Sequence, residues 1–163
     1  MSRMLAIFFG VGLLRPAPGT WGSLAALPLA WAIAVLGGPW AMVAAVVLAS
    51  GLGYWAAGAE LRLGDDPDPG EIVIDEVAGQ WLALLPVVIG AAHVGRPPMD
   101  LWPGWVAAFL LFRLFDIWKP GPIGWADRKG GALGLMLDDL LAGLAAAIGV
   151  ALLAALAHGV LMR

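Results

Sequence analysis

The stretch IVIDEVAGQWLALLPVVIG, residues 72–90, has the length and apolarity of a membrane-spanning helix, yet Asp75 and Glu76 stand side by side near its start. A helix needs about 20 largely apolar residues to cross a bilayer, so the segment predicts a span. Ionisable side chains inside such a segment are costly and are usually functional. The rest of the sequence should therefore contain the groups that compensate these two carboxylates.

The composition of the whole chain indicates a membrane protein. Of its 163 residues, 61% are hydrophobic and 13% are charged, and the mean hydropathy is +0.89. A soluble domain of this size could not bury so much apolar surface, so lipid must solvate part of it. The length predicts one domain over residues 1–163. A net charge of −3 argues against nucleic-acid binding, and the lack of cysteine excludes disulfides and a thiol nucleophile.

Five segments are apolar enough to enter or cross the membrane, which predicts an all-α, polytopic bundle of about four to five membrane helices. They are residues 23–37, 39–58, 72–92, 102–118 and 139–161. The first segment is short for a full span, and Ser23 is placed to cap it. The apolar N-terminus resembles a signal peptide without a small-residue cleavage site, so we interpret it as retained, at the interface or folded back into the protein.

Positive charge is unevenly distributed between the two sides that this topology defines. One side comprises residues 1–22, 59–71 and 119–138. It holds seven Lys or Arg residues, including one just inside a helix, against Arg96 and Arg163 on the other side. Because Lys and Arg favour cytoplasmic loops, the polar side is predicted to face the cytoplasm.

A second acidic pair, Asp138 and Asp139, is predicted to open the last span, in the sequence GLMLDDLLAG of residues 134–143. In both pairs a glycine follows an Asp at a spacing of four: Gly79 follows Asp75, and Gly143 follows Asp139. A glycine one turn along the same face lets a neighbouring helix approach closely. The two acidic pairs are therefore predicted to converge between packed helices.

Converging carboxylates in a low-dielectric site repel one another and need cations or protons. A hard divalent ion such as Mg²⁺ meets this need, often beside phosphate oxygens. The sequence therefore predicts a Mg²⁺ site whose ligands are Asp75, Glu76, Asp138 and Asp139. The alternative is that each acid only interacts favourably with the dipole at a helix N-terminus.

Further polar groups lie in the segment FRLFDIWKPGPIGWADRKGG, residues 112–131. Arg113, Asp116 and Lys119 recur at a spacing of three, so they share one face of a helix end. They form either part of a site or a simple ion pair. Arg128 either binds the substrate phosphate or contributes to the cytoplasmic charge bias and contacts anionic headgroups.

The segment RPAPGTWGSL, residues 15–24, joins a cation, glycines and hydroxyl groups to the start of a helix. Glycine exposes backbone N–H groups, and a helix N-terminus favours anions, so the pattern is typical of a phosphate cradle. Its candidate contacts are Arg15, Gly19, Thr20 and Ser23. The alternative is a turn and an N-cap between membrane segments.

Four motifs, taken in order, resemble the phosphatidylglycerophosphatase A family: PAPGTWGSL, EIVIDEVAGQW, FRLFDIWKPGPIGWADR and GLMLDDLLAG. The resemblance covers residues about 10–145. It implies a Mg²⁺-dependent integral membrane phosphatase of the bacterial cytoplasmic (inner) membrane, with its active site facing the cytoplasm. Such an enzyme takes a phospholipid substrate from the bilayer and hydrolyses phosphatidylglycerophosphate to phosphatidylglycerol and inorganic phosphate.

The resemblance and the residue chemistry together assign roles. The catalytic candidates are Asp75, Glu76, Asp116, Asp139 and Lys119, and the phosphate-binding candidates are Arg15, Gly19, Thr20, Ser23, Arg113, Lys119 and Arg128. The cationic groups would stabilise charge on the equatorial phosphate oxygens. Asp139 or Asp116 is the candidate acceptor of the attacking water's proton, and a route with Asp116 as nucleophile stays open.

Several alternatives remain at this stage. The lipid could be another phosphomonoester, such as phosphatidic acid. A small ion transporter could use the same acids, although it would place ionisable groups along a path through the bilayer rather than on one side. A non-enzymatic membrane subunit would use the charges for helix assembly. The Gly- and Ala-rich faces also leave a homo-oligomer open.

Overall fold

The structure, a computed structural model, describes residues 1–64 and 69–161, and within them it contains helices and no strand. The α-helices are α1 (Ser2–Ala6), α2 (Pro18–Leu61), α3 (Ile74–His93), α4 (Trp102–Trp118), α5 (Pro122–Asp127) and α6 (Gly131–Leu161), with short 3₁₀ helices at Phe8–Leu13 and Pro98–Leu101. Four of the helices, α2, α3, α4 and α6, are long and apolar enough to cross a membrane. The predicted all-α membrane bundle is confirmed.

Helix α2 is divided into two arms by a break at Gly38. Gly38 has φ 64° and ψ −159°, a conformation that glycine adopts readily, and Pro39 follows it. The arms comprise residues 18–37 and 39–61. Each arm has about the length of a membrane crossing. The turn predicted at the glycine pair is therefore confirmed.

The two arms run antiparallel, as contacts near their far ends require. Gly22 in the first arm lies against Val73, whereas Gly53 in the second arm lies against Ile74. Two residues that far apart would be separated by about 46 Å along a straight helix. They can reach consecutive residues of the chain only if α2 folds back on itself at its break.

Helix α3 is the centre of the bundle. In its most apolar window 61% of residues are buried, against 17% to 28% in the other three long helices. Helix α4 runs antiparallel to it, because Gly104 lies beside Val87 and Phe112 lies beside Gly79. The connections at residues 1–17, 62–64, 69–73 and 119–130 consequently lie at one end of the bundle, here called the polar end.

Two predicted helix starts were wrong. Helix α2 begins at Pro18 rather than at residue 23, because proline's fixed φ suits the first helical position. Ser23 is therefore not a cap but lies one turn inside the helix, where its Oγ donates to the carbonyl of Gly19 at 2.9 Å. Helix α6 begins at Gly131 rather than at residue 139, so the acidic pair Asp138 and Asp139 lies about two turns inside it.

The N-terminal segment is folded against the polar end of the bundle. The backbone N–H of Val73 donates to the carbonyl of Ala6 at 2.9 Å, which fixes α1 beside the start of α3. Arg3 pairs with Glu71 at 2.8 Å, and Ser2 donates to Glu60 Oε1 at 2.8 Å. Acidic residues at the ends of the loop between α2 and α3 thus hold this segment in place.

Candidate functional site

Five carboxylates converge at the polar end from three helices. In one group, carboxylate oxygens of Asp75, Glu76 and Asp139 lie within 4.8 Å of one another. In a second group the same holds for Asp116, Asp138 and Asp139. We call the five residues together the carboxylate cluster. Because Asp139 belongs to both groups, it joins the acids of α3 to those of α4 and α6.

A backbone-to-backbone contact between α3 and α6 brings these acids together. A Cβ added at Gly143 would overlap the carbonyl oxygen of Gly79. A Cβ added at Gly79 would lie 2.6 Å from the carbonyl oxygen of Asp139 and 2.6 Å from Cε2 of Phe112. Only residues without a side chain fit at these two positions, so the predicted close approach of the helices is confirmed.

The cluster is buried and incompletely paired. Asp75, Asp138 and Asp139 are 4%, 4% and 3% exposed. Within the described residues, Glu76 Oε2 and Asp139 Oδ1 are buried without a hydrogen-bond partner. Unpaired anionic oxygens in an apolar environment are strongly unfavourable, and hard oxygen ligands of this kind suit Mg²⁺. The residues present therefore fit a divalent cation.

Arg113 occupies one side of the cluster. Its Nη1 lies 2.7 Å from Asp116 Oδ2, and both side chains are mostly buried. The same nitrogen donates to Ser23 Oγ at 3.4 Å. A Cβ added at Gly19 would overlap Glu76 Oε1 and lie 3.3 Å from Arg113 Nη1. The first arm of α2 thus contacts both a carboxylate and a cation of the site.

Lys119 pairs with another acid of the cluster. Its Nζ contacts Asp138 Oδ2 at 2.6 Å and also donates to Asp127 of α5. Burial alone would lower the pKa of Lys119, but its hydrogen bonds to these two carboxylates raise that pKa above the usual range, so the side chain stays cationic. The sequence analysis missed Asp127, whose only signal was an acid eight residues after Lys119.

The backbone of Lys119 helps to set its position. The residue ends α4 in the left-handed region, with φ 49° and ψ 52°, and its N–H donates to the carbonyl of Phe115 at 2.8 Å. This conformation costs a residue with a side chain roughly 1–2 kcal/mol, and glycine usually occupies it. The following Pro120 prevents the helix from continuing. The chain thus turns back, with Lys119 directed to α5 and α6.

The predicted phosphate cradle forms only in part. Gly19 and Ser23 reach the site, but the N–H of Thr20 donates to the carbonyl of Ala17 at 3.0 Å. Ser23 is the sixth residue of α2, so its N–H belongs to the helix's own hydrogen-bond ladder. The backbone N–H groups of Thr20 and Ser23 are thus engaged within the helix, and the assignment of Gly19, Thr20 and Ser23 to phosphate binding stays a prediction.

Two predicted phosphate-binding cations, Arg15 and Arg128, are not paired with the carboxylate cluster among the described residues. Arg15 Nη2 lies 4.0 Å from Glu71 Oε1, and its side chain is 68% exposed. Arg128 is exposed, and its guanidinium lies beside Gly124. In the part of the chain that the structure describes, neither forms an ion pair with the cluster. Their assignment to phosphate binding stays a prediction.

A further polar residue, Gln80, was also missed by the sequence analysis. It is fully buried, and both atoms of its side-chain amide lack a hydrogen-bond partner among the described residues. Its only sequence signal was an amide one helical turn after Glu76, inside an apolar span.

Comparison with known proteins gives consistent matches. The profile of the family described as PgpA, phosphatidylglycerophosphatase A, matches residues 4–154. A protein named phosphatidylglycerophosphatase A from Escherichia coli (strain K12) is 39% identical over 148 residues, which cover 89% of this chain and 78% of the relative. A protein of the same name from Haemophilus influenzae is 38% identical over 147 residues, covering 90% and 84%.

A third relative carries a different name. A Bacteroides thetaiotaomicron protein, provisionally named a phosphatidylinositol-3-phosphatase, is 39% identical over 140 residues, which cover 83% of this chain and 82% of the relative. No solved structure matches the chain.

Proposed function

The chain belongs to the phosphatidylglycerophosphatase A family, and from this premise we propose that it hydrolyses phosphatidylglycerophosphate with Mg²⁺ at the carboxylate cluster. Membership makes it a phosphoric monoester hydrolase, and its long apolar helices make it a membrane protein. The products would be phosphatidylglycerol and inorganic phosphate. We place the enzyme in the bacterial cytoplasmic membrane with the polar end facing the cytoplasm.

One observation carries the proposal: Asp139 is shared by two groups of carboxylates, and two acids of the cluster are paired with the cations Arg113 and Lys119. Asp75, Glu76, Asp138 and Asp139, together with Asp116, are the residues that would hold Mg²⁺. When bound, the ion would neutralise charge on the carboxylates and the phosphate and make a water molecule more acidic. Because Asp139 belongs to both groups, it would take part in holding the metal at either one.

The chain's own side chains have roles around the phosphate. Arg113 is placed to neutralise a phosphate oxygen, because it already lies between Asp116 and the first arm of α2. Lys119 holds Asp138 in position and supplies a second positive charge. Asp139, whose Oδ1 lacks a partner among the described residues, is the preferred acceptor of the attacking water's proton. The helices around the cluster keep bulk water away, which strengthens each of these interactions.

The distribution of buried polar groups favours an enzyme over a transporter. Among the described residues, the buried ionisable side chains are Asp75, Asp138 and Asp139, and all three belong to the cluster at one end of the bundle. A transporter would be expected to place such groups along a path toward the other side. The observed arrangement instead suits a lipid headgroup that enters from one interface.

The first test is phosphate release by the purified protein in detergent. With phosphatidylglycerophosphate as substrate, we expect turnover in Mg²⁺, loss of turnover in excess EDTA and recovery when Mg²⁺ is restored in excess. The physical reason is that clustered carboxylates would otherwise repel the anionic phosphate. Full turnover in excess EDTA would contradict the proposed metal dependence.

The same assay identifies the preferred lipid. Phosphatidylglycerophosphate, phosphatidic acid and phosphatidylinositol 3-phosphate would be compared at equal surface concentration in mixed micelles. The last is included because of the name of the Bacteroides relative. We expect the highest kcat/KM for phosphatidylglycerophosphate. A higher value for either other lipid would move the assignment to that substrate and leave the metal result unaffected.

The orientation can be tested by cysteine labelling, because the natural chain contains no cysteine. Leu63→Cys lies at the polar end and Met99→Cys at the opposite end, and both native side chains are exposed. In intact cells, a membrane-impermeant maleimide should label the variant at position 99 and not the variant at position 63, whereas both should react after the cells are broken. The reverse pattern would place the polar end outside the cytoplasm.

A further inference from the structure

Gln80 is a polar residue whose burial is energetically unfavourable. Its side chain has no exposed surface, and neither its amide oxygen nor its amide nitrogen has a partner among the described residues. A buried polar group left unsatisfied costs roughly 1–3 kcal/mol. An apolar residue of similar shape would avoid this cost, so packing alone gives no reason for an amide here.

The position of Gln80 relates it to the carboxylate cluster. It follows Glu76 by four residues on α3, so the two side chains lie on the same face, one turn apart. Side chains on a helix slant toward its N-terminus, so the amide of Gln80 lies over the turn that carries Glu76. Gly79, the residue directly before Gln80, touches the backbone of Asp139. Gln80 therefore lies one helical turn from Glu76, on the side of the cluster away from the polar end.

The unpaired polar atoms of Gln80, Glu76 and Asp139 are complementary as hydrogen-bond donors and acceptors. Glu76 Oε2 and Asp139 Oδ1 are acceptors without partners in the described chain, and the amide of Gln80 offers both a donor and an acceptor. A buried water typically makes about three hydrogen bonds to otherwise unsatisfied groups of this kind. The amide of Gln80 and the two carboxylates together offer about three hydrogen bonds to such a water.

We propose that Gln80 binds the attacking water and orients it toward the phosphate. The amide oxygen accepts one of the water's hydrogens and a carboxylate of the cluster accepts the other, which leaves an oxygen lone pair free to face phosphorus. In the hydrolysis, the bond between this oxygen and phosphorus forms as the bond from phosphorus to the lipid's ester oxygen breaks. One proton of the water passes to the carboxylate, which then gives it to the lipid oxygen as that oxygen leaves phosphorus, so one water is consumed and the products are the lipid alcohol and inorganic phosphate. This inference rests on the hydrolysis at the cluster proposed above.

The test compares Gln80→Met with Leu84→Met. Methionine has nearly the length of glutamine without its hydrogen-bonding groups. Leu84 is a fully buried residue one turn farther along the same helix, and its exchange for Met conserves volume. For each purified protein, kcat and KM on phosphatidylglycerophosphate and the thermal unfolding midpoint would be measured in Mg²⁺.

For Gln80→Met we expect kcat to fall on the order of 10²-fold, as when one oriented polar group of an active site is lost. KM should change little, since the lipid's own contacts are retained. The unfolding midpoint should stay nearly the same, because methionine fills a similar volume and no direct contact between protein groups is lost. Leu84→Met should resemble the natural chain in all three quantities.

Two results would overturn the inference. One is an unchanged kcat in a folded Gln80→Met protein, which would show that the amide has no part in the reaction. The other is a fall in the unfolding midpoint in step with activity, which would make Gln80 a structural residue. Failure of the metal proposal can be distinguished from failure of the Gln80 proposal, because only the former gives turnover of the natural chain in excess EDTA. The comparison of kcat between the variants is still valid in that case.

Discussion

Replacing Asp139 with Asn is expected to reduce phosphate release by at least 10²- to 10³-fold, on the order of the loss that follows removal of one major electrostatic contact in an active site. Asp139 is the residue common to both carboxylate groups, so its neutralisation weakens both at once. Asparagine keeps the size of the side chain, and the backbone contact between α3 and α6 is unaffected. The chain should therefore fold and enter the membrane normally.

Stability provides a second, independent readout for this variant. In EDTA the natural chain would retain mutual repulsion among its acids, whereas Asp139→Asn removes one of the charges. The unfolding midpoint of Asp139→Asn in EDTA should therefore equal or exceed that of the natural chain. The non-enzymatic subunit hypothesis expects the opposite, a clear loss of stability, because it uses the charges for helix assembly.

Asp100→Asn is the matched control. Asp100 is an exposed acid near the start of α4, at the end opposite the cluster, and pairs with Arg96 at 3.6 Å. Exposed ion pairs of this kind contribute little to the free energy of unfolding, and this one lies far from the cluster, so neither turnover nor stability should change. Normal turnover in folded Asp139→Asn protein would refute the role assigned to the cluster.

A single added methyl group at Gly143 is expected to have an effect of similar size by a different route. In Gly143→Ala the new Cβ would overlap the carbonyl oxygen of Gly79, and backbone cannot move aside as a flexible side chain can. Overpacking of this kind costs roughly 1–3 kcal/mol or more. The helices must separate, and a displacement of about 1 Å at reacting groups can cost 10²-fold in rate. Both the unfolding midpoint and turnover should fall.

Gly159→Ala is the control for this prediction, because it makes the same change in the same helix. A Cβ at Gly159 would meet nothing within 4 Å among the described residues. Alanine is also the better helix former, so stability should be unchanged or slightly higher. If Gly143→Ala kept the stability and turnover of the natural chain, α3 and α6 would not be in backbone contact, and the convergence of the acidic pairs would need another explanation.

Much of the fold could be predicted because lipid imposes simple rules on sequence. The span at residues 102–118 agrees with α4, and the break predicted at the glycine pair agrees with the left-handed Gly38. The first residues of the helices were harder to predict, because the change from polar to apolar sequence marks where the chain enters the membrane and not where the helix begins. Helix α6 begins about two turns before Asp138, at the glycine pair 130–131, whereas the sequence analysis took the acidic pair as its start.

The candidate site was predictable where a pattern was local. The spacing from Asp75 to Gly79 and from Asp139 to Gly143 indicated both the acids and the reason that they could meet. The partners of Lys119 were not predictable in this way, because its contact with Asp127 depends on how the chain turns after Pro120. The lack of hydrogen-bond partners for Gln80 could not be predicted either, because an unpaired amide can be recognised only when its neighbours in space are known.

The contact between Gly79 and Gly143 also bears on how the protein is made. The ribosome completes α2, α3 and α4 before it adds Asp138 and Asp139, which belong to α6. Until that helix inserts and docks, Asp75 and Glu76 lack the oxygens with which they would share a cation. A nascent or prematurely ended chain should therefore be inert toward lipid phosphates. Catalytic competence would therefore be acquired only when α6 has docked against α3.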